Sequence, residues 1–289
     1  MTRQNYCSST VVATKAALKL ADYVVTEGGF GADLGAEKFF DIKCRKTGLK
    51  PSAAVVVATC RALKMHGGAD EKTLSTTENV PALLDGMANL ERHVENVQKF
   101  GIPTMVAINV FPTDTEAEIV ATEDACAKLG VRAVRSDHHN LGGDGALDFA
   151  QNVVDLIDEN PNGKDGFQFL YPDEMPLEDK IRTVATEIYG AADISVSKAA
   201  KTKLKKFTKM GYGHFPICVA KNQYSFSADP KLLGAPSGHI VPVTDVRLSA
   251  GAEFVVALTG DIMTMPGLPK IPASEKVGLN DDGQIYGLF

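Results

Sequence analysis

The chain has 289 residues, 44% hydrophobic and 23% charged, enough apolar content for one large core or two smaller ones. Its net charge of −6 argues against a general nucleic-acid surface, so an anionic ligand must be held by local amides and a few cations. Five scattered cysteines, Cys7, Cys44, Cys60, Cys126 and Cys218, show no C-x-x-C and no zinc-finger spacing, which fits reduced thiols in the cytoplasm.

In chain order, Met1 to Cys7 has no apolar signal core, and no later apolar run approaches the ~20 residues that span a bilayer. The expectation is a soluble cytoplasmic protein with no membrane partner. Ser8 or Ser9 can cap a helix to about Ala21, with Val12, Ala16, Leu18 and Leu20 as apolar positions. Tyr23 to Val25 reads as a short buried strand entering a loop with Glu27, Gly28, Gly29, Phe30, Gly31, Asp33 and Gly35. Glycine permits close approach of a ligand to the backbone, and strand-to-loop junctions of parallel sheets are where ligands bind. A tight turn without a ligand explains the glycines equally well. A helical segment with Phe39, Phe40, Lys43, Arg45 and Lys46 follows.

Ala53 to Thr59 is a continuous apolar run, the pattern of a strand buried on both faces. His66-Gly67-Gly68 ends the next segment, and polar Ala69 to Asn79 reads as a mobile loop. Leu83, Leu84, Met87, Leu90, Val94 and Val97 recur at helical spacing within Ala82–Phe100, and Gly101 stops that helix. Thr104 to Val110 is the next strand. Pro112 opens a helix to Leu129, with Thr113 or Asp114 as cap. Val131 to Val134 is a short strand, and Gly142-Gly143-Asp144-Gly145 leads into a helix over Ala146–Asp158. This alternation predicts an α/β fold, part of a doubly wound parallel sheet, for residues 1–155. Asn160 to Gly166 is the best linker. Residues 156–289 then read as a smaller α+β domain: helices at Leu177–Tyr189 and Lys198–Met210, and strands at Phe215–Ala220, His239–Val246 and Glu253–Leu258.

Three places carry candidate chemistry. The first is the glycine loop, where Glu27 and Asp33 can orient a ligand or simply cap backbone amides. The second is Asn109-Val110-Phe111-Pro112-Thr113, where a strand meets its helix: Asn can read the edge of a planar ring and Phe can stack on it, although a phenylalanine in that position is more often core. The third is His138-His139-Asn140-Leu141-Gly142-Gly143, whose glycines before a helix suit an anion. Adjacent histidines do not converge on one ion, so no metal site is expected there. No G-x-x-x-x-G-K-[ST] phosphate loop occurs in the chain.

Longer words are more specific. Gly29-Phe-Gly-Ala-Asp-Leu-Gly-Ala-Glu-Lys-Phe39, continuing to Arg45, resembles formate–tetrahydrofolate ligase. So do Asn89-Leu-Glu-Arg-His93, Phe111-Pro-Thr-Asp-Thr-Glu-Ala-Glu118, Ala220-Lys-Asn-Gln-Tyr-Ser225 and Leu258-Thr-Gly-Asp-Ile-Met-Thr-Met-Pro-Gly-Leu-Pro269. The words cover nearly the whole chain in order, yet members of that family are much longer, and the match is to their C-terminal half.

The resemblance implies a reaction of formate, tetrahydrofolate and ATP to 10-formyltetrahydrofolate, ADP and phosphate, through formyl phosphate attacked by the folate amine. It implies ATP and Mg for the complete enzyme, tetrahydrofolate as substrate, and a homo-oligomer. It also implies a P-loop-NTPase-like domain whose phosphate-loop half is not in this chain, and that half could be a separate polypeptide. What remains is the folate- and base-binding side, with Asn109, Phe111, Pro112, Thr113, His139, Gly142 and Gly143 as ligand residues and Glu27, Gly29, Phe30, Gly31 and Asp33 as loop candidates; no residue is assigned as catalytic. Many family members place Trp-Ala-Lys before the two glycines, and that Trp forms the second face of an aromatic sandwich; here His139 stands in its place. The expectation is a chain that does not turn over alone. The rivals are a folate- or nucleotide-binding module without catalysis and an unrelated α/β enzyme with another phosphate ligand.

Overall fold

The computed structural model describes residues 9–260, 272, 275–282 and 285–287. The described residues form an α/β protein with a three-stranded sheet, a four-stranded sheet and a two-stranded hairpin. The elements are α1 (Val11–Ala17), α2 (Gly35–Lys38) continuing through a π-helical turn (Phe39–Cys44) into α3 (Arg45–Thr47), β1 (Ala54–Ala58), α4 (Cys60–His66), α5 (Val80–Gln98), β2 (Thr104–Asn109), α6 (Glu116–Lys128), β3 (Ala133–Ser136), α7 (His138–Leu141) and α8 (Leu147–Glu159). The second half adds α9 (Leu177–Glu187), β4 (Asp193–Val196), α10 (Lys198–Phe207), β5 (Ile217–Ala220), β6 (Ile240–Ser249) and β7 (Phe254–Thr259), with a short hairpin of β8 (Gly278–Leu279) and β9 (Ile285–Tyr286).

The first sheet is parallel, in the order β1-β2-β3, with Val56 opposite Val106 and Ala107 opposite Val134. Parallel strands put the loops after β2 and β3 on one edge. The second sheet, β4-β6-β7-β5, is mixed: β4/β6 and β5/β7 are parallel and β6/β7 antiparallel. Helix α5 forms because Leu83, Met87, Leu90, Val94 and Val97 fall on one face, and all five are buried. Asn79 caps it, its side chain accepting from the Ala82 amide. Each such side chain contributes roughly 1.5–3 kcal/mol on burial. One apolar core runs from Val106 and Ile108 of the first sheet through Ile181 and Tyr189 to Val241 and Val255 of the second.

Several expectations need correction. Tyr23 to Val25 forms no strand; Tyr23 is 51% and Val25 90% exposed. A strand exists only through its ladder partner, and no described strand pairs with this segment. Helix α1 is shorter than expected and buries only Thr14. Helix α6 is capped by Thr115, not Thr113 or Asp114, because Thr115 and Glu118 make a reciprocal capping box. Asp114 instead closes a turn: its carboxylate accepts from the Phe111 amide at 2.9 Å, and its own amide donates to the Phe111 carbonyl. The loop after α4 is tied down by buried Leu74 and by Lys64, which donates to the Thr77 carbonyl. Strand β4 and one-turn α7 are elements that the sequence reading did not anticipate. Of the word Leu258–Pro269, everything after Gly260 lies outside the described residues.

Candidate functional site

The glycine loop folds back on itself and docks against the second half of the chain. A Cβ on Gly35 would lie 2.2 Å from the Gly29 carbonyl oxygen, so this close approach requires glycine. Asp33 points inward and pairs with Lys221 at 3.2 Å; both side chains are buried. Lys221 also donates to the carbonyls of Asn222 and Ser225, and its ammonium lies 5.1 Å from the centre of the Tyr189 ring. Next to it, Glu37 and Lys38 pair at 2.9 Å. Burial pushes the Glu37 carboxyl up, against the pull of the Lys38 ammonium beside it. Burial likewise pushes the Lys221 amine down, against the pull of Asp33. His93 packs its ring on Phe226, 4.6 Å between centroids, and meets the loop at Gly31, whose added Cβ would lie 3.0 Å from the imidazole. Burial holds the His93 imidazole below its usual range.

One turn further, Asp41 accepts from Arg45 at 2.9 Å and from the Leu170 amide at 3.2 Å. Burial first, and then the neighbouring Glu37, push the Asp41 carboxyl up to about 7, despite Arg45. Phe30 stands apart: its φ of 62° is in the left-handed region, its ring is 56% exposed, and it lines a small cleft with Leu34, Lys38, Lys221 and Gln223. A non-glycine residue held there costs on the order of 1–3 kcal/mol. Glu27 is exposed and takes no part in the cluster.

The second group gathers at the carboxyl ends of β2 and β3. Asn109 ends β2, opposite Ser136 at the end of β3. Phe111 follows, half-buried, and its ring lies 5.2 Å from that of His139 at an interplanar angle of 52°. Pro112 and Thr113 are exposed in the turn that Asp114 closes. His139 sits on one-turn α7, exposed, with Nδ1 3.2 Å from the Asn140 side-chain oxygen. Gly142 has φ 60° and ψ −138°, a conformation that only glycine adopts readily. Nothing lies within 4 Å of a Cβ built on Gly142 or Gly143, so the space at these two glycines, three and four residues after His139, is open. The loop group and the ring group share no hydrogen bond, ion pair or ring contact among the described residues.

One further cluster, Cys60, Asp114 and Glu118, brings three ligand-type atoms within 4.8 Å of one another, behind the Phe111 turn. It does not fit a magnesium ion. Lys64 already neutralises Glu118 at 2.9 Å, and the same carboxylate accepts from the Asn79 and Thr115 amides. Burial pushes the Cys60 thiol up to about 12, whereas Mg²⁺ takes oxygen ligands.

The family model for formate–tetrahydrofolate ligase matches residues 5–289. The chain belongs to this family. It is 62% identical over 283 residues to the formate–tetrahydrofolate ligase of Granulibacter bethesdensis, covering 98% of this chain and 49% of that protein. The ligases of Sinorhizobium fredii and Methylibium petroleiphilum are 60% and 55% identical, again over 98% of this chain and 50% of theirs. The chain therefore spans about half the length of the relatives it matches.

Four of the five words shared with the ligase family meet in space, the last of them through its described residues, while the word at Phe111–Glu118 lies in the ring group. The Asp33–Lys221 pair joins the word at Gly29–Phe39 to the word at Ala220–Ser225, and His93 brings in a third. Thr259, from the last word, donates to the Ala220 carbonyl. Glu37, Lys38, His93, Tyr189 and Lys221 were not singled out from the sequence. The position of Lys221 inside a family word was the available signal; nothing local marks Tyr189.

Proposed function

We propose that this chain supplies the ring-binding side of a formate–tetrahydrofolate ligase, and that Phe111 and His139 hold a planar ring of folate or nucleotide between them. The observation that carries this reading is the approach of the two rings to 5.2 Å beside the open glycines 142 and 143. Two aromatic faces holding a planar ring need centroids about 7 Å apart, twice the usual ~3.5 Å stacking contact. The pair must therefore part by about 2 Å, and exposed His139 on its single helical turn is the wall with freedom to move. Asn109 reads the ring's edge, while Pro112 and Thr113 shape the rim. Phe30 and Gly31 flank a second part of the surface, and Asp33 acts by fixing that loop through Lys221.

The reaction is the family's: formate takes the γ-phosphoryl group of ATP, and the folate amine then attacks the formyl phosphate carbon and displaces phosphate. The transferring charge needs a phosphate loop and its lysine, and no G-x-x-x-x-G-K-[ST] occurs in this sequence. That same observation favours the second reading, a folate- or nucleotide-binding module without catalysis. Coupled turnover from ATP, formate and tetrahydrofolate, after the other half of the ligase sequence is supplied, separates the two.

Calorimetry with tetrahydrofolate and with ATP tests the ring site. Phe111→Ala weakens binding of the stacked ligand by about 1–3 kcal/mol, as for other base–aromatic contacts. Phe111→Leu keeps apolar burial but loses the stack, so it weakens binding as well. Normal binding by Phe111→Leu, with unfolding of Phe111→Ala, means that Phe111 is core and the reading is wrong.

A further inference from the structure

The Phe111 ring is not held by the core. Phe111 belongs to none of the apolar clusters formed by the described residues, and its one ring contact among them is with exposed His139. A ring without apolar walls is aimed by its backbone. That backbone is clamped by one residue, Asp114. The Asp114 amide donates to the Phe111 carbonyl, and the Asp114 carboxylate accepts from the Phe111 amide, both at 2.9 Å. The two bonds fix the peptide planes on either side of Phe111, and those planes set the direction of its side chain.

Asp114 is itself lodged in place. One of its carboxylate oxygens, the Cys60 Sγ and a Glu118 carboxylate oxygen lie within 4.8 Å of one another, and Cys60 and Glu118 are fully buried. Two carboxylates this close repel each other, and a repelled Asp114 would swing toward water and release the amide. Lys64 removes that repulsion: its ammonium lies 2.9 Å from Glu118 and is buried with it. The Glu118 oxygens are already taken by Lys64 and by the Asn79 and Thr115 amides, so the Phe111 amide is left to Asp114. Burial pushes the Asp114 carboxyl up, against the pull of that amide.

We propose that Asp114 is the positioning residue of the ring site: it touches no ligand, and it acts by holding the Phe111 backbone so that the ring presents its face to a planar ligand. The proposal rests on the ring-binding reading. It separates two roles inside one family word. Phe111 supplies the stacking surface, and Asp114, three residues on, supplies its aim through the main chain. The charge on Asp114 is not what the site uses; a carbonyl oxygen in the same place serves as well, because the bond needs only an acceptor.

The test is a double-mutant cycle on the 289-residue chain, read by calorimetry with tetrahydrofolate and with ATP. Asp114→Ala weakens whichever ligand Phe111→Ala weakens, by roughly three- to tenfold, the fold-change that one net hydrogen bond corresponds to. Asp114→Asn, whose amide oxygen accepts the same bond, binds as the parent does. In a Phe111→Ala background Asp114→Ala has no further effect, because a residue that acts through another is not additive with it. Hydrogen exchange gives a readout that needs no ligand: the Phe111 amide exchanges about tenfold faster or more in Asp114→Ala and at the parent rate in Asp114→Asn. Parent-like binding by Asp114→Ala beside a weakened Phe111→Ala overturns the proposal. So do additive losses, an Asp114→Asn variant as weak as Asp114→Ala, or a Phe111 amide whose exchange does not respond. Phe111→Ala without effect on either ligand removes the ring reading instead, and the exchange rate of the Phe111 amide still decides whether Asp114 holds the turn.

Discussion

The Asp33–Lys221 pair and Phe111 stand in words of the ligase family, His139 departs from its pattern, and the Asp33–Lys221 cluster and the Phe111–His139 pair are opposite in physical character. The first is closed: two carboxylates and two ammonium groups, Asp33, Glu37, Lys38 and Lys221, paired inside the protein. The second is open: a half-buried ring, an exposed ring and two glycines with free space around them. Buried ion pairs contribute little net stability, but removing one partner strands a charge. An exposed ring contributes little to the fold and leaves its face for a ligand. A family word can therefore mark either a constraint on packing or a surface for chemistry, and burial separates the two.

The sharpest way to break this contrast is Lys221→Met. It leaves Asp33 buried without its cation and costs about 3–5 kcal/mol of unfolding free energy in a urea titration. Asp33→Asn combined with Lys221→Met recovers part of the loss. A cost below about 1 kcal/mol for the single change would mean that water reaches Asp33 and the cluster is not closed.

Asp41 tests the same interior through pH. Its carboxyl rises from 3.8 to about 7 on folding, so the folded state holds the proton more tightly than the unfolded chain between those values. Stability from this group is therefore full below about pH 4 and falls as pH rises to about 7. The drop is on the order of a few kcal/mol, at about 1.4 kcal/mol per unit. Asp41→Asn flattens the dependence of the urea midpoint across that window. An unchanged slope would mean that Arg45 keeps Asp41 ionised throughout.

The open site responds more weakly, and in binding instead of stability. Phe111→Ala costs the 1–3 kcal/mol of binding described above while shifting the urea midpoint little. The smallest effect is His139→Trp, which enlarges the stacking face and tightens planar-ligand binding by about 0.5–1.5 kcal/mol. No gain in calorimetry with tetrahydrofolate or ATP would show that the imidazole does not stand where the family's indole does.

Much of the architecture was legible in the sequence because it is local. The period of Leu83 to Val97 forms α5, the run at Ala53–Thr59 forms β1, and parallel connectivity places Phe111 and His139 on one edge. Lys221, Tyr189 and His93 were not legible as one cluster. They lie on distant elements, and each local environment reads as an ordinary loop or helix.

By itself the sequence determined the family, most of the order of helices and strands, and the three stretches named for candidate chemistry, since those depend on residue identity and near-neighbour spacing. Only the tertiary structure decided which carboxylates are buried and paired, that Asp33 faces Lys221 from 188 positions away, and that Tyr23 to Val25 stays outside any described sheet. The reason is the same in each case: a buried charge needs its counterion and a strand needs its ladder, and both partners come from elsewhere in the chain.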